Sequence, residues 1–236
     1  MASVGATGAT SANGTSLAGA CLVLDFDGTI VDTEQPVYQS WAELWQDHGV
    51  ELRRARWQAV IGTDGDFDPW VELQHLVGRT LDPALVVRRR ARRDELQAAY
   101  GPRRGVVAWL EQAREAGVPV AIASSSPLEW VAGHLGRLGL ADRFAAVVCR
   151  DEIVPPKPDP RSYREACRLL GAEPRRSVAV EDSHHGVRAA VTAGLFTVAV
   201  PHGLTDDLDL SAADLIAASL EDLSLADVLA RAAERC

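Results

Sequence analysis

Asp25 and Asp27 stand one residue apart in the stretch DFDGTIVDTE, directly behind the apolar run CLVL. Side chains alternate along an extended chain, so carboxylates at i and i+2 share a face and converge on one pocket. Three further groups follow apolar runs or turns: Ser124-Ser125-Ser126, Lys157 within VPPKPDP, and Glu181-Asp182-Ser183. Taken singly, each has a plain structural explanation. The serines and the acid pair could cap the helices behind them, and Lys157 could be a solvated loop residue. Together they supply carboxylates, hydroxyls and one ammonium, a set that chance alone seldom gathers. Clustered carboxylates repel and need a counter-ion, and an all-oxygen set suits a hard cation such as Mg²⁺.

These residues share a site only if the elements before them are neighbours. Leu22–Phe26, Val118–Ala123, Ala145–Cys149, Ser177–Val180 and Phe196–Val200 read as strands buried on both faces. Helix-length segments lie between them: Val106–Ala116, Pro127–Leu138, Pro160–Leu170 and Gly186–Ala193, with Leu220–Glu234 closing the chain. This alternation predicts an α/β, Rossmann-like parallel sheet with helices on both faces. Such sheets bind ligands at the carboxyl ends of their strands, where the singled-out residues fall.

Between residues 34 and 100 the alternation stops. Val37–Asp47, Arg53–Ile61, Pro69–Val77 and Pro83–Tyr100 read as helices, with Asp82-Pro83 as a helix start and Gly101-Pro102 as a stop. A helical domain inserted after the first strand is expected at 34–100. The α/β core is then 18–33 plus 101–236, and 1–17, rich in Ala, Gly, Ser and Thr, is a disordered tail.

The chain has 236 residues, a net charge of −9 and a sequence pI of about 5.1, a poor match to nucleic acid. Its apolar runs fall short of the ~18 residues that a membrane helix needs. Four scattered cysteines, with no CxxC pair, fit a reducing cytoplasm. A monomer or weak homodimer acting on a small molecule is the expectation.

The ordered set resembles the haloacid dehalogenase-like superfamily, within it the β-phosphoglucomutase-like group of phosphatases and mutases. DFDGTIVDTE is similar to that family's first motif, Ser124 to its second, Lys157 in KPDP to its third and Glu181-Asp182-Ser183 to its fourth. The helical insert stands where the group carries a cap domain. The resemblance implies that Asp25 and Asp182 ligate Mg²⁺ by side chain, Asp27 by its backbone carbonyl, with Glu181 supporting the metal indirectly. It implies Asp25 as nucleophile, Asp27 as proton donor and acceptor, and Ser124, Ser125, Lys157 and the amides near Gly28 as phosphate holders. Glu34 and, in the loop 62–68, Thr63 and Asp64 are the candidate substrate selectors.

A Mg²⁺-dependent phosphatase acting on a small phosphorylated metabolite, such as a sugar phosphate, is therefore expected; a phosphomutase is the alternative. The mutases carry a histidine three residues beyond the position of Glu34, where this chain has Val37. They carry a lysine-asparagine pair where it has Pro127-Leu128. Both departures favour hydrolysis. The family's dehalogenases lack the acid that stands here as Asp27. Its phosphonate-cleaving members use a cap lysine, and residues 34–100 contain none. A binding module without turnover would not need every motif residue intact.

Trp41, Trp45 and Trp57 read as insert core, Trp70 less clearly so. His184 and His185 read as solvent-facing, and His202 stands undecided between site and surface. The run Arg88–Arg93 reads as a solvated helix face. Asp32 reads as a hydrogen bonder at the hinge into the insert.

Overall fold

The computed structural model describes residues 17–58, 67–151 and 153–235. Strands β1 (Leu22–Leu24), β2 (Val120–Ala123), β3 (Ala146–Val148), β4 (Val178–Glu181), β5 (Phe196–Ala199) and β6 (Leu215–Ile216) form one sheet in the order β3-β2-β1-β4-β5-β6. Every described pairing is parallel. β6 is absent from the sequence reading. Its two residues are too few to show an alternation, and pairing with β5 rather than local pattern makes them a strand.

The alternation along β1 splits the core. Leu22, Leu24 and Phe26 face α5 (Val106–Glu115), α6 (Leu128–Leu138) and α9 (Leu225–Glu234), with Trp109 fully buried among them. Cys21 and Val23 face α7 (Arg161–Leu169) and α8 (His184–Ala193), through Tyr163, Cys167 and a run of alanines. Removing an indole such as that of Trp109 costs about 3–5 kcal/mol. The closing segment is a 3₁₀ turn at Leu220–Asp222 followed by α9, whose cap is Ser224. Leu17, placed in the tail by composition, is buried against the first core face.

Between β1 and α5 lie α1 (Glu34–Asp47), α2 (Arg54–Gln58), α3 (Pro69–Val77) and α4 (Ala84–Ala98). They enclose a separate apolar cluster of Trp41, Leu44, Trp45, Trp57 and Leu73. Trp45 donates its indole N–H to Pro69 O at 3.1 Å, which satisfies its buried polar atom. Asp68 caps α3 by accepting from Trp70 N and Val71 N, and Asp82 accepts from Ala84 N at 2.9 Å. The arginine run corrects the sequence reading: Arg89 is buried, bonded to Ser40 and stacked over Trp41. A six-residue run covers about 1.7 turns of helix, so some of its arginines face α1, and the aliphatic stem of Arg89 makes its burial tolerable.

β1 is central: β2 leads away on one side and β4 lies on the other. The carboxyl end of β1 is the point where the winding reverses, and a crevice opens there.

Candidate active site

Three backbone hydrogen bonds carry the sheet ladder one step past its strands and fix the crevice walls. Asp25 N donates to Val180 O (2.9 Å), Ser124 N to Val148 O (2.9 Å) and Val200 N to Glu181 O (2.7 Å). The chain turns away after Asp27 at Gly28, whose φ of +82° suits glycine. A side chain at Gly28 would strike the Asp182 carboxylate and the His202 ring. Arg103, at the return from α4, holds this turn: it donates to Gly28 O (2.5 Å), Val200 O (2.9 Å) and Pro201 O (3.1 Å).

The crevice is a cavity of about 260 Å³ whose lining includes Asp25, Asp27, Glu34, Ser125, Lys157 and Asp182. Asp25, Glu181 and Asp182 are all buried, and one carboxylate oxygen of each lies within 4.8 Å of the others. Lys157 reaches between them: its ammonium pairs with Asp25 and, at 2.5 Å, with Glu181 Oε1. Glu181 is saturated. Tyr163 donates to Oε1 (2.5 Å), and Ser183 Oγ and Asp182 N donate to Oε2 (both 3.2 Å). Gly186 makes room for this carboxylate, which an added methyl would overlap.

Burial pushes the Asp25 carboxyl well above its usual range; repulsion from Glu181 adds to this and Lys157 opposes it. Burial raises Asp182 too, partly offset by His202. For Lys157, burial works against the charged form, but Asp25 and Glu181 win and hold it above the ordinary lysine value. The three acids therefore fit a divalent cation bound through oxygen: their mutual repulsion is a cost that such a charge would offset.

Asp27 is half-buried and its carboxylate turns to other partners. Thr33 Oγ donates to Oδ1 (2.7 Å), Trp130 Nε1 to Oδ1 (2.8 Å), Ser126 Oγ to Oδ2 (2.6 Å) and Ser124 Oγ to Oδ2 (3.4 Å). Ser124 is buried behind the lining residues and accepts from Ser126 N, while Ser125 Oγ accepts from Lys157 N. Glu34 begins α1 and lines the cavity, accepting weakly from Trp57 Nε1 (3.4 Å). Burial, then repulsion from Asp27 and Asp182, raises its carboxyl to about 7. Val37 lines the same wall. Thr63 and Asp64 lie outside the described residues.

His202 stands between Asp32 and Asp182, at 3.4 and 3.3 Å. Burial would lower its pKa, but the two carboxylates prevail and raise it to about 9. Asp32 also accepts from Gln35 N (2.9 Å) at the start of α1, a hinge bond of the kind expected. His185 lines the cavity, half-buried rather than solvent-facing. Sequence reasoning missed Trp130 and Arg103, named Ser126 without a role of its own and left His202 undecided. The available signals were an arginine pair at the hinge and an indole in the first turn of the helix behind the serines.

The haloacid dehalogenase-like hydrolase family matches residues 20–194. YhcW of Bacillus subtilis (strain 168) is 36% identical over 209 residues, spanning 88% of this chain and 95% of YhcW. Validoxylamine A 7'-phosphate phosphatase of Streptomyces hygroscopicus subsp. limoneus is 28% identical over 203 residues, spanning 86% and 93%. The crystal structure of CbbY from Rhodobacter sphaeroides in complex with phosphate superposes with a TM-score of 0.70 at 26% identity, covering 89% of this chain and 98% of that one. The chain belongs to the haloacid dehalogenase-like hydrolase family. Within it, the chain is a phosphoric monoester hydrolase.

Proposed function

We propose that the chain hydrolyses small phosphorylated metabolites, sugar phosphates among them, through a phosphoryl group carried on Asp25. The observation that supports this most is the placing of Asp25: fixed at the end of β1, paired with Lys157 and open to a cavity of about 260 Å³. An oxygen of Asp25 attacks phosphorus, and the electron pair of the breaking P–O bond goes to the ester oxygen, which takes a proton from Asp27. Water then attacks the same phosphorus, gives its proton to Asp27, and the P–O bond to Asp25 breaks to restore the carboxylate. Lys157, Ser124, Ser125 and the amides near Gly28 hold the phosphoryl oxygens. Asp25, Asp182 and the Asp27 carbonyl would hold Mg²⁺, with Glu181 in support, and its charge would offset that of the carboxylates and the ester.

The helical insert acts as a cap that shields the site from bulk solvent during phosphoryl transfer, admits the hydrolytic water once the leaving group has gone, and contacts the leaving group through Glu34. Val37 on the cavity wall offers no proton-exchanging group there, which favours hydrolysis over mutase chemistry. No helix among the described residues is long and apolar enough to cross a membrane. The buried free thiols of Cys21, Cys149 and Cys167 fit a reducing compartment, and we place the enzyme in the cytoplasm as a monomer or weak homodimer.

The test is a phosphate-release screen over sugar phosphates, nucleotides and phosphoglycolate, with Mg²⁺ and with chelator. Release from small esters that chelator abolishes is expected. An inert protein, or isomerisation of β-glucose 1-phosphate with little free phosphate, contradicts the reading.

A further inference from the structure

Trp130 belongs to none of the four motifs, yet it joins the site to the cap. It lies in the first turn of α6, and its indole N–H donates to Asp27 Oδ1 at 2.8 Å. Its ring packs edge-on against His134 one turn later, with centroids 4.3 Å apart. The Arg93 guanidinium, from α4, sits 5.1 Å over the ring. Such a cation–π contact holds a ring by electrostatic attraction alone. One side chain thus touches a core carboxylate and the last cap helix together.

The indole ring stands between the active-site cavity and a second crevice of about 470 Å³. Asp94 and Gln97 of α4 line one side of that crevice, and His134 and Arg137 of α6 the other. The remaining close partner on Oδ1 is Thr33, the residue before α1. Both donors to this oxygen therefore report where cap helices sit: Thr33 through α1, Trp130 through Arg93 on α4. An indole only donates, so Trp130 can orient the carboxyl without exchanging a proton with it.

We propose that Trp130 is a positioning residue: it sets the orientation of the Asp27 carboxyl and, through Arg93, makes that orientation depend on the seating of α4. This rests on the reading of Asp27 as the group that protonates the leaving oxygen. A leaving group stable as an anion needs that proton little, whereas a poor one needs it badly. Misorienting Asp27 therefore costs most with poor leaving groups, which a loss of general stability would not do.

The experiment compares phenyl phosphate, whose phenoxide leaves poorly, with p-nitrophenyl phosphate, whose nitrophenolate leaves readily. Both are assayed with wild type, Trp130→Phe, Arg93→Met and Asp27→Asn. Trp130→Phe keeps the ring and removes the N–H. Its rate of phenol release in the first turnover at saturating ester, the step before the shared hydrolysis, should fall about 10–100-fold with phenyl phosphate but less than about threefold with p-nitrophenyl phosphate, a part of the ~10²–10⁴-fold worth of proton transfer. Arg93→Met should show the same split at about 3–10-fold. It carries the test alone if thermal melting shows that Trp130→Phe does not fold. Equal losses on both esters, or a change confined to KM, overturn the proposal. Asp27→Asn splitting the esters while Trp130→Phe and Arg93→Met do not sinks this inference alone. Asp27→Asn without a split removes the reading of Asp27 and this inference with it.

Discussion

The two aspartates that open the site live in different surroundings. Asp25 is buried, hydrogen-bonded through its backbone to β4 and paired with Lys157; its charged neighbours Glu181 and Asp182 come from the core alone. Asp27 is half-buried, and its partners come from the hinge, from Ser124 and Ser126 behind β2, from α6 and, one step removed, from α4. Glu34, across the cavity, leans on Trp57 of α2. On the proposed mechanism the attacking group is fixed by the sheet alone, while the proton-handling and leaving-group side is shared between two core serines and elements that belong to the cap or touch it. Chemistry held by the core is indifferent to substrate; contacts held by the cap can choose it.

If this division is right, damage to the core side is total and damage to the cap side is graded. Asp25→Asn should lower kcat for p-nitrophenyl phosphate by at least about 10³-fold, since an amide is a poor nucleophile. Circular dichroism should show the fold unchanged, and retained turnover would dissolve the comparison.

Lys157 gives the next largest effect. It is the chain's only lysine, where every other fixed cation is arginine. A compact ammonium fits between Asp25 and Glu181, whereas a planar guanidinium does not. Lys157→Met leaves two buried acids without their cation and should cost about 3–5 kcal/mol in urea unfolding. Lys157→Arg should fail to restore either stability or activity, although it keeps the charge. Full rescue by arginine would show that charge alone matters there.

Glu34 probes the cap side. Its folded-state pKa of about 7 lies above the ordinary 4.5, so the folded chain binds the extra proton between those values. Wild-type stability should therefore fall, on this account, as pH rises from 4.5 through 7. In chelator, Glu34→Gln should match wild type below pH 4.5 and exceed it by about 1–3 kcal/mol at pH 8. Parallel stability curves for the two proteins would place Glu34 in solvent.

The sheet and its ligand edge were legible because β1, β2, β4 and β5 are continuous apolar runs and the chemistry sits directly behind them. β6 was not, since only its pairing with β5 defines it. The arginine run misled because charge pattern reports composition and not which side of α4 meets Trp41. Trp130 and His202 were invisible for a related reason. Their partners Asp27 and Asp182 lie 103 and 20 residues away, and only the assembled sheet brings them together.

The central claim, a phosphoryl group carried by Asp25, is tested most directly by mass spectrometry. Asp27→Asn, mixed with p-nitrophenyl phosphate and Mg²⁺ and quenched in acid, should gain one phosphoryl group, because attack proceeds with a good leaving group while hydrolysis lacks its base. Peptide mapping should place it on Asp25, and Asp25→Asn should gain none. A phosphoryl group on another residue, or wild-type turnover with none trapped in Asp27→Asn, would contradict the account.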